Sequence, residues 1–392
     1  MDLNDKDHLL QLDNLLATDN QSWLFGAGIS LEAGIPLMGP LTDRVFSLAA
    51  DKGEENDLKI LEFVKDQLPD DSHIEHILSQ LGDHRGIADR SKDKVVNFDG
   101  LSLSVSDLDD IHQRVLSWIA QTILWGYVSG ETDGVAEQTG TAEERIVKID
   151  SHSAFVSALF NRTQAGVSER RRPVRLFTTN YDTLLEDALA LGGFPYWDGF
   201  SGGAVAFRNH RYGDDEPSSG ERAHLIKLHG SIDWHLGADG LVWRVREGDI
   251  YPEKTSRVLI YPQSTKYLAT QRDPFSAQFD LLRRSLGEIG ENVLVTCGYS
   301  FGDEHINQEI ELALRNPRNK TTVLAFALDL NPTLEIWRKE TWGKRIYVLT
   351  KNGLYAGSEG PFYSPLGGGD FDWWTFSGVT NLLDKGAEAC VT

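Results

Sequence analysis

Residues 22–36 read SWLFGAGISLEAGIP. A short apolar run, SWLF over 22–25, passes directly into Gly26-Ala27-Gly28, the succession of a strand, a tight turn and a helix start. Glycine at such a turn lets the backbone approach a pyrophosphate, and the free N–H groups and dipole of a following helix favour negative charge. The same three residues also serve as a purely structural turn, so what accompanies them decides the reading. Comparable runs occur at 174–178 (VRLFT), 224–228 (HLIKL), 292–297 (NVLVTC), 321–327 (TTVLAFA) and 345–349 (RIYVL). Near-continuous apolar strands closed by glycine or helix signals predict an α/β fold: a Rossmann-like, doubly wound parallel sheet covered on both faces.

Outward from these strands the pattern changes. IEHILSQL (74–81) and IHQRVLSWIAQTILWGYV (111–128) carry helical spacing between polar stretches, which predicts a mainly helical insertion splitting the sheet. The expected division is a sheet domain from 1–44 and 171–350, the insertion at 45–170, and a tail at 351–392 whose aromatic piece SPLGGGDFDWWTF has no assigned place. Residues 192–222 are rich in Gly, Ser, Asp and Pro and read as an irregular loop, where doubly wound folds collect binding residues.

A hydrophobic fraction of 40% and ten tryptophans exclude a disordered chain. With 38 basic and 59 acidic side chains the net charge is -21, a surface that repels polyphosphate and argues against direct nucleic-acid binding. Arg170 to Arg172 is the one compact basic run and reads as solvated at the foot of a strand. Two cysteines, Cys297 and Cys390, make neither a disulfide framework nor a four-thiolate zinc site, so no zinc is expected. The acidic, amphipathic start MDLNDKDHLLQLDNLL has no signal-peptide hydrophobic segment, and no run of about 18 apolar residues suggests a membrane span, so a cytoplasmic location is expected.

Three further motifs fall at strand ends. Thr178-Thr179-Asn180-Tyr181-Asp182 closes one strand, where such folds present ligand-binding side chains; Asn180 or Asp182 equally suits capping a helix that starts near Thr183. Lys227-Leu228-His229-Gly230-Ser231 follows another, and a histidine titrating near 6.5 can accept a proton at neutral pH. Cys297-Gly298-Tyr299-Ser300-Phe301-Gly302-Asp303 gives a third glycine turn suited to phosphate or ribose hydroxyls. Glu304 and His305 come next, but no second pair with ligand spacing accompanies them, so no metal is expected.

Taken in order, GAGIS with AGIP, TTNYD, KLHG and GYSFGD resemble the motifs of the sirtuin superfamily, and most of all its SIR2-like branch from bacterial antiphage systems. The resemblance covers 22–44 and 174–350. Sirtuin deacetylases carry a four-cysteine zinc module and usually continue GIP with Asp-Phe-Arg; this chain has two cysteines and runs Leu37-Met38-Gly39-Pro40. Both departures count against peptide deacylation and leave NAD⁺ binding untouched.

The activity the resemblance implies is NAD⁺ hydrolysis: cleavage of the nicotinamide–ribose bond to nicotinamide and ADP-ribose, depleting NAD⁺ in antiphage defence once activated. NAD⁺ is then substrate rather than resident cofactor. By the same resemblance Asn180 holds the ribose or the attacking water, Asp182 the nicotinamide carboxamide, and His229 acts as general base. Gly26, Ala27, Gly28 and Ser30 cradle the pyrophosphate, with Gly298 and Ser300 on the adenosine side. Asp329, after the strand LAFALDLNP, is placed to bond a ribose hydroxyl or to face solvent. Two other readings stand beside this one: NAD-dependent deacylation or ADP-ribosyl transfer to a protein, and a non-catalytic NAD⁺ or ADP-ribose sensor. The resemblance also implies pairing with a DNA-translocating ATPase of the HerA type, and a homo-oligomer is expected whose helical insertion or aromatic tail packs against neighbours or the ATPase. Trp373 and Trp374 are candidate anchors for such an interface, or members of the chain's own core.

Overall fold

The computed structural model describes residues 3–98, 100–130, 136–162, 172–217, 220–246, 254–259, 273–288, 290–363, 365 and 369–391. The six apolar runs form six parallel strands: β1 (Gln21–Phe25), β2 (Val174–Thr178), β3 (Ala223–Lys227), β4 (Glu291–Cys297), β5 (Lys320–Phe326) and β6 (Ile346–Thr350). Each lies within a residue or two of its expected place. They are ordered β3-β2-β1-β4-β5-β6, so the chain builds outward from β1 in one direction, returns, and builds out in the other. This is the doubly wound order, and its switch point falls between β1 and β4.

Alternate residues of each strand face opposite sides of the sheet, and both sides are covered. Trp23, Phe25, Leu176, Val295 and Phe326 face helices α1 (Leu3–Leu16), α6 (Asp150–Arg162), α7 (Leu184–Leu191) and α11 (Phe376–Lys385). Leu24, Phe177, Leu294, Val323 and Val348 face α8 (Phe275–Leu286), α9 (Glu304–Arg315) and α10 (Pro332–Lys339). Burial of each such side chain stabilises by about 1.5–3 kcal/mol. Strands buried on both faces are predominantly apolar, which is why the sequence displayed them so plainly.

Between β1 and β2 lie four helices with a core of their own: α2 (Met38–Lys52), α3 (Asp57–Lys65), α4 (Ile74–Arg90) and α5 (Val105–Trp125). The longest, α5, starts at a capping box in which Ser104 and Asp107 bond each other's backbone N–H, and it stops at Gly126, held at φ +90. Its Arg114 makes a two-pronged contact with Asp57 of α3, both bonds 2.7 Å. The helical core reaches the sheet through Tyr181, Leu184 and Ile232.

Two expectations are corrected, and one left open is decided. Residues 192–222 are not irregular throughout: Phe200–Gly202 and Val205–Arg208 form a hairpin that pairs with Val242–Val245. With Gly230–Gly237 and Lys254–Leu259 they make a second, five-stranded antiparallel sheet. These strands are short and several of their residues are partly exposed, so their composition looks like loop. The segment 351–392 is integrated into the fold: β7 (Gly353–Ala356) and β8 (Glu359–Phe362) extend the main sheet antiparallel, and α11 packs on α6. Trp373 is fully buried in that core and Trp374 half-buried against it, so Trp373 is no free surface anchor. Of the basic run, Arg170 and Arg171 lie outside the described residues, while Arg172 is exposed, 3.4 Å from Glu288. Among the described residues no helix is long and apolar enough to cross a membrane.

Candidate functional site

The four motifs converge at the carboxyl ends of β1 to β4. At the switch point the first and fourth motifs interlock. The Gly26 N–H donates to the Cys297 carbonyl (3.2 Å) and the Gly28 N–H to that of Gly298 (3.0 Å). A Cβ on Gly28 would sit 2.7 Å from the Gly298 Cα, and one on Gly298 (φ +63) 2.5 Å from the Ile29 nitrogen. The close approach these glycines permit is therefore to one another, backbone on backbone. Ala27–Ser30 is a single 3-10 turn rather than the start of a long helix; the chain then turns through Gly34 (φ +84), and the next α-helix begins only at Met38.

Ser30 joins the first motif to the second. Its buried hydroxyl donates to Asp182 Oδ2 (2.7 Å) and accepts from Asn180 Nδ2 (3.0 Å). The other oxygen of Asp182 accepts the Leu184 N–H at the head of α7 (3.0 Å), so the helix-capping use foreseen for this residue is real. The Asn180 N–H donates to Thr178 Oγ1 (3.0 Å), which fixes the loop. Asn180 Oδ1 is buried and has no hydrogen-bond partner. A buried amide oxygen left bare costs about 1–3 kcal/mol, and a site that binds a hydroxyl or water is where such a cost is tolerated.

Ser30→Ala is therefore expected to unpair both Asn180 and Asp182 and to lower stability by about 1–3 kcal/mol, read from the denaturation midpoint. An unchanged midpoint would mean that the Ser30 bridge does not hold the two motifs together.

The third motif supplies two side chains with separate tasks. Lys227 is buried, 3.2 Å from Glu186, and its Nζ donates to the Asp182 carbonyl, tying β3 to the second motif. Burial pushes the Glu186 carboxyl up and the Lys227 charge opposes this. His229 is buried with its Nε2 3.3 Å from His305 Nε2 and 3.7 Å from Asp303 Oδ1. Two strands separate these partners: β3 and β4 stand with β2 and β1 between them, about 14 Å apart at ordinary strand spacing. The connections after β3 and β4 must arch over the ends of β2 and β1 to meet.

Ser300 is exposed and its hydroxyl accepts the Gly302 N–H (3.3 Å), while Phe301 is buried in the left-handed region at φ +61. Such a conformation in a non-glycine residue is strained and is held here by packing on Tyr299 and Trp337. Asp329 is exposed beyond the end of β5, bonded to Lys351 (2.9 Å) and Asn352 (3.3 Å).

Sequence reasoning missed several participants. Tyr181 donates to Glu75 of α4 across 2.7 Å of buried space, coupling the second motif to the helical insertion. His152 on α6 is fully buried, its Nε2 unpartnered and its ring against Phe376; burial holds its pKa below the ordinary value, opposed by the charges of Asp182 and Glu32. No local pattern marks His152, and Tyr181 stands within the second motif without any sign of its partner. His305 and Asp303 were visible in the sequence, but their nearness to His229 was not.

Residues 174–347 match the model of the SIR2-like domain family. That segment holds three of the four motifs and leaves GAGIS upstream. No curated protein matches the chain. Solved structures similar to it include two Sir2 homologues. One, a Sir2 homolog–NAD complex, has 13% identity over 98% of this chain and 95% of its own, with a TM-score of 0.43. The other is a histidine-to-asparagine mutant of a Sir2 homologue with ADP-ribose; it has 13% identity over 85% and 87%, with a TM-score of 0.37.

Proposed function

We propose that this chain is an NAD⁺ glycohydrolase whose site lies at the carboxyl ends of β1 to β4. The observation that carries the reading is Asn180. It lies within the segment matching the SIR2-like domain, is fixed by Ser30 and Thr178, and holds a bare, buried acceptor beside the strand that leads to His229.

The chemistry follows from the substrate. Nicotinamide leaves NAD⁺ as a neutral molecule, so its departure needs no acid. The bond between ribose C1′ and the pyridinium nitrogen breaks, its electron pair stays on that nitrogen, and the ribose passes through an oxocarbenium-like state. Water adds its oxygen to C1′ and releases a proton. Asn180 Oδ1 positions that water or a ribose hydroxyl, and His229 takes the proton. Asp182 fixes the loop and accepts from the nicotinamide carboxamide. Gly26, Ala27, Gly28 and Ser30 flank the pyrophosphate, and Gly298 and Ser300 the adenosine side.

Purified protein incubated with NAD⁺ is expected to yield nicotinamide and ADP-ribose in equal amounts by chromatography, unaffected by EDTA. An acylated or ADP-ribosylated protein product would favour the transfer reading, and bound but intact NAD⁺ the sensor reading. A hydrolase of this kind needs restraint, and we propose that it works in antiphage defence as a homo-oligomer with a HerA-type DNA-translocating ATPase. Light scattering is expected to give a mass above one chain at micromolar concentration, and co-expression with the ATPase to alter turnover. A monomer that neither binds nor responds would remove both proposals.

A further inference from the structure

Histidine 229 has a second capacity in its setting. One ligand atom from each of His229, Asp303 and His305, a ring nitrogen from each histidine and a carboxylate oxygen, lies within 4.8 Å of the others. A tetrahedral ion with bonds of about 2.0–2.1 Å sets neighbouring donor atoms about 3.3 Å apart. The two imidazole nitrogens stand at 3.3 Å, and Asp303 Oδ1 lies 3.7 Å from His229 Nε2, within a small side-chain adjustment of that spacing. Asp303 immediately precedes α9, yet its carboxylate makes no capping bond to that helix; it lies on the histidine side instead. His229 is buried while Asp303 and His305 are half-buried, so the cluster has both a dry wall and a route from solvent. Two imidazoles and one carboxylate with a fourth position left over suit Zn²⁺, and suit Mg²⁺ or Ca²⁺ poorly.

We propose that His229, Asp303 and His305 form a Zn²⁺ site, and that the bound ion switches hydrolysis off. The site itself stands on geometry alone; the switch rests on the hydrolase reading above. The lone pair on His229 Nε2 either takes a proton from the attacking group or binds the ion. It cannot do both, so occupancy and turnover exclude each other. This ion would be inhibitory and exchangeable, unlike a four-thiolate structural zinc, and so agrees with activity that survives EDTA.

The test uses the full chain after chelator treatment and dialysis, with Zn²⁺ titrated calorimetrically and Co²⁺ as a coloured probe of coordination. One equivalent of Zn²⁺ is expected to bind, and Co²⁺ to give the intense visible bands of four-coordination. His305→Phe and Asp303→Asn, each checked for an unchanged circular dichroism spectrum, are expected to weaken Zn²⁺ binding by about 100-fold or more. In a chain that hydrolyses NAD⁺, Zn²⁺ is expected to abolish turnover, and His305→Phe to keep basal turnover while losing zinc sensitivity. Zinc affinity unchanged in both variants, or no binding at micromolar Zn²⁺, overturns the site and leaves the two histidines sharing a proton. Binding without inhibition in an active protein overturns the switch. Binding that the variants lose, in a chain that never consumes NAD⁺, upholds the site and instead overturns the hydrolase reading.

Discussion

His229→Ala and Asn180→Ala are each expected to lower NAD⁺ consumption by about 10²–10⁴-fold without unfolding the chain. The size follows from what each residue does. His229 is the titratable side chain that the third motif places at the end of β3, and removal of a positioned base typically forfeits a factor of that order. Asn180 contributes by position. Its amide nitrogen is held by Ser30, so its oxygen is fixed in direction before substrate arrives, and such prearranged groups are worth about 10²–10³ each. Loss of stability should be modest. His229→Ala removes the contacts to His305 and Asp303 at one rim of the site, and Asn180→Ala removes a bare oxygen together with one bond to Ser30. The measurement is turnover by product chromatography beside the thermal midpoint of the same samples. Near wild-type turnover in either variant would sink its assignment. Loss of turnover accompanied by collapse of the midpoint would show a structural residue instead. Ser30→Ala separates the two cases, because it loosens both motifs while leaving His229 in place.

How far the sequence could be read depended on where each residue's neighbours lie. The parallel strands were legible because each is largely buried on both faces and so carries a mostly apolar run; VRLFT and NVLVTC announce themselves. The motifs were legible because glycine turns and polar residues follow those runs directly. The hairpin of Phe200–Gly202 and Val205–Arg208 was not, since two short, half-exposed strands have no periodicity long enough to register. The site divides in the same way. Asn180, Asp182 and Ser30 were each singled out, but the hydroxyl that joins them spans about 150 residues of chain. His229 and His305 are 76 residues apart and meet only because two connections arch over intervening strand ends. Spacing rules for metal ligands see helices and turns, so a cluster assembled by sheet order escapes them. The two glycine turns were read as cradles for a phosphate; the structure adds that they are first of all cradles for each other.

Trp373→Ala is expected to cost about 3–5 kcal/mol, the range for truncating a large buried aromatic side chain. The residue comes from a segment whose glycines and aspartates look like a solvated tail, yet it is completely buried. Its indole N–H donates to the Thr350 carbonyl at the end of β6 (2.6 Å), and its ring stacks on Phe371 at 4.2 Å. The core around it includes Leu349, Leu354, Phe376 and Val379, so β6, β7 and α11 share one hydrophobic cluster. Alanine there opens a cavity and strips a partner from a carbonyl on a buried strand residue, two losses that add. Against a total stability of about 5–15 kcal/mol, the variant should unfold at a clearly lower temperature and lose soluble yield. Trp374→Ala, truncating a half-buried neighbour, should cost less. The same pair of variants decides between the two uses foreseen for these tryptophans. If Trp373 staples the carboxyl-terminal segment to the sheet, its loss lowers the thermal midpoint at every protein concentration. An anchor between subunits would behave otherwise: the midpoint at high dilution would stay put, while light scattering would show a smaller assembly.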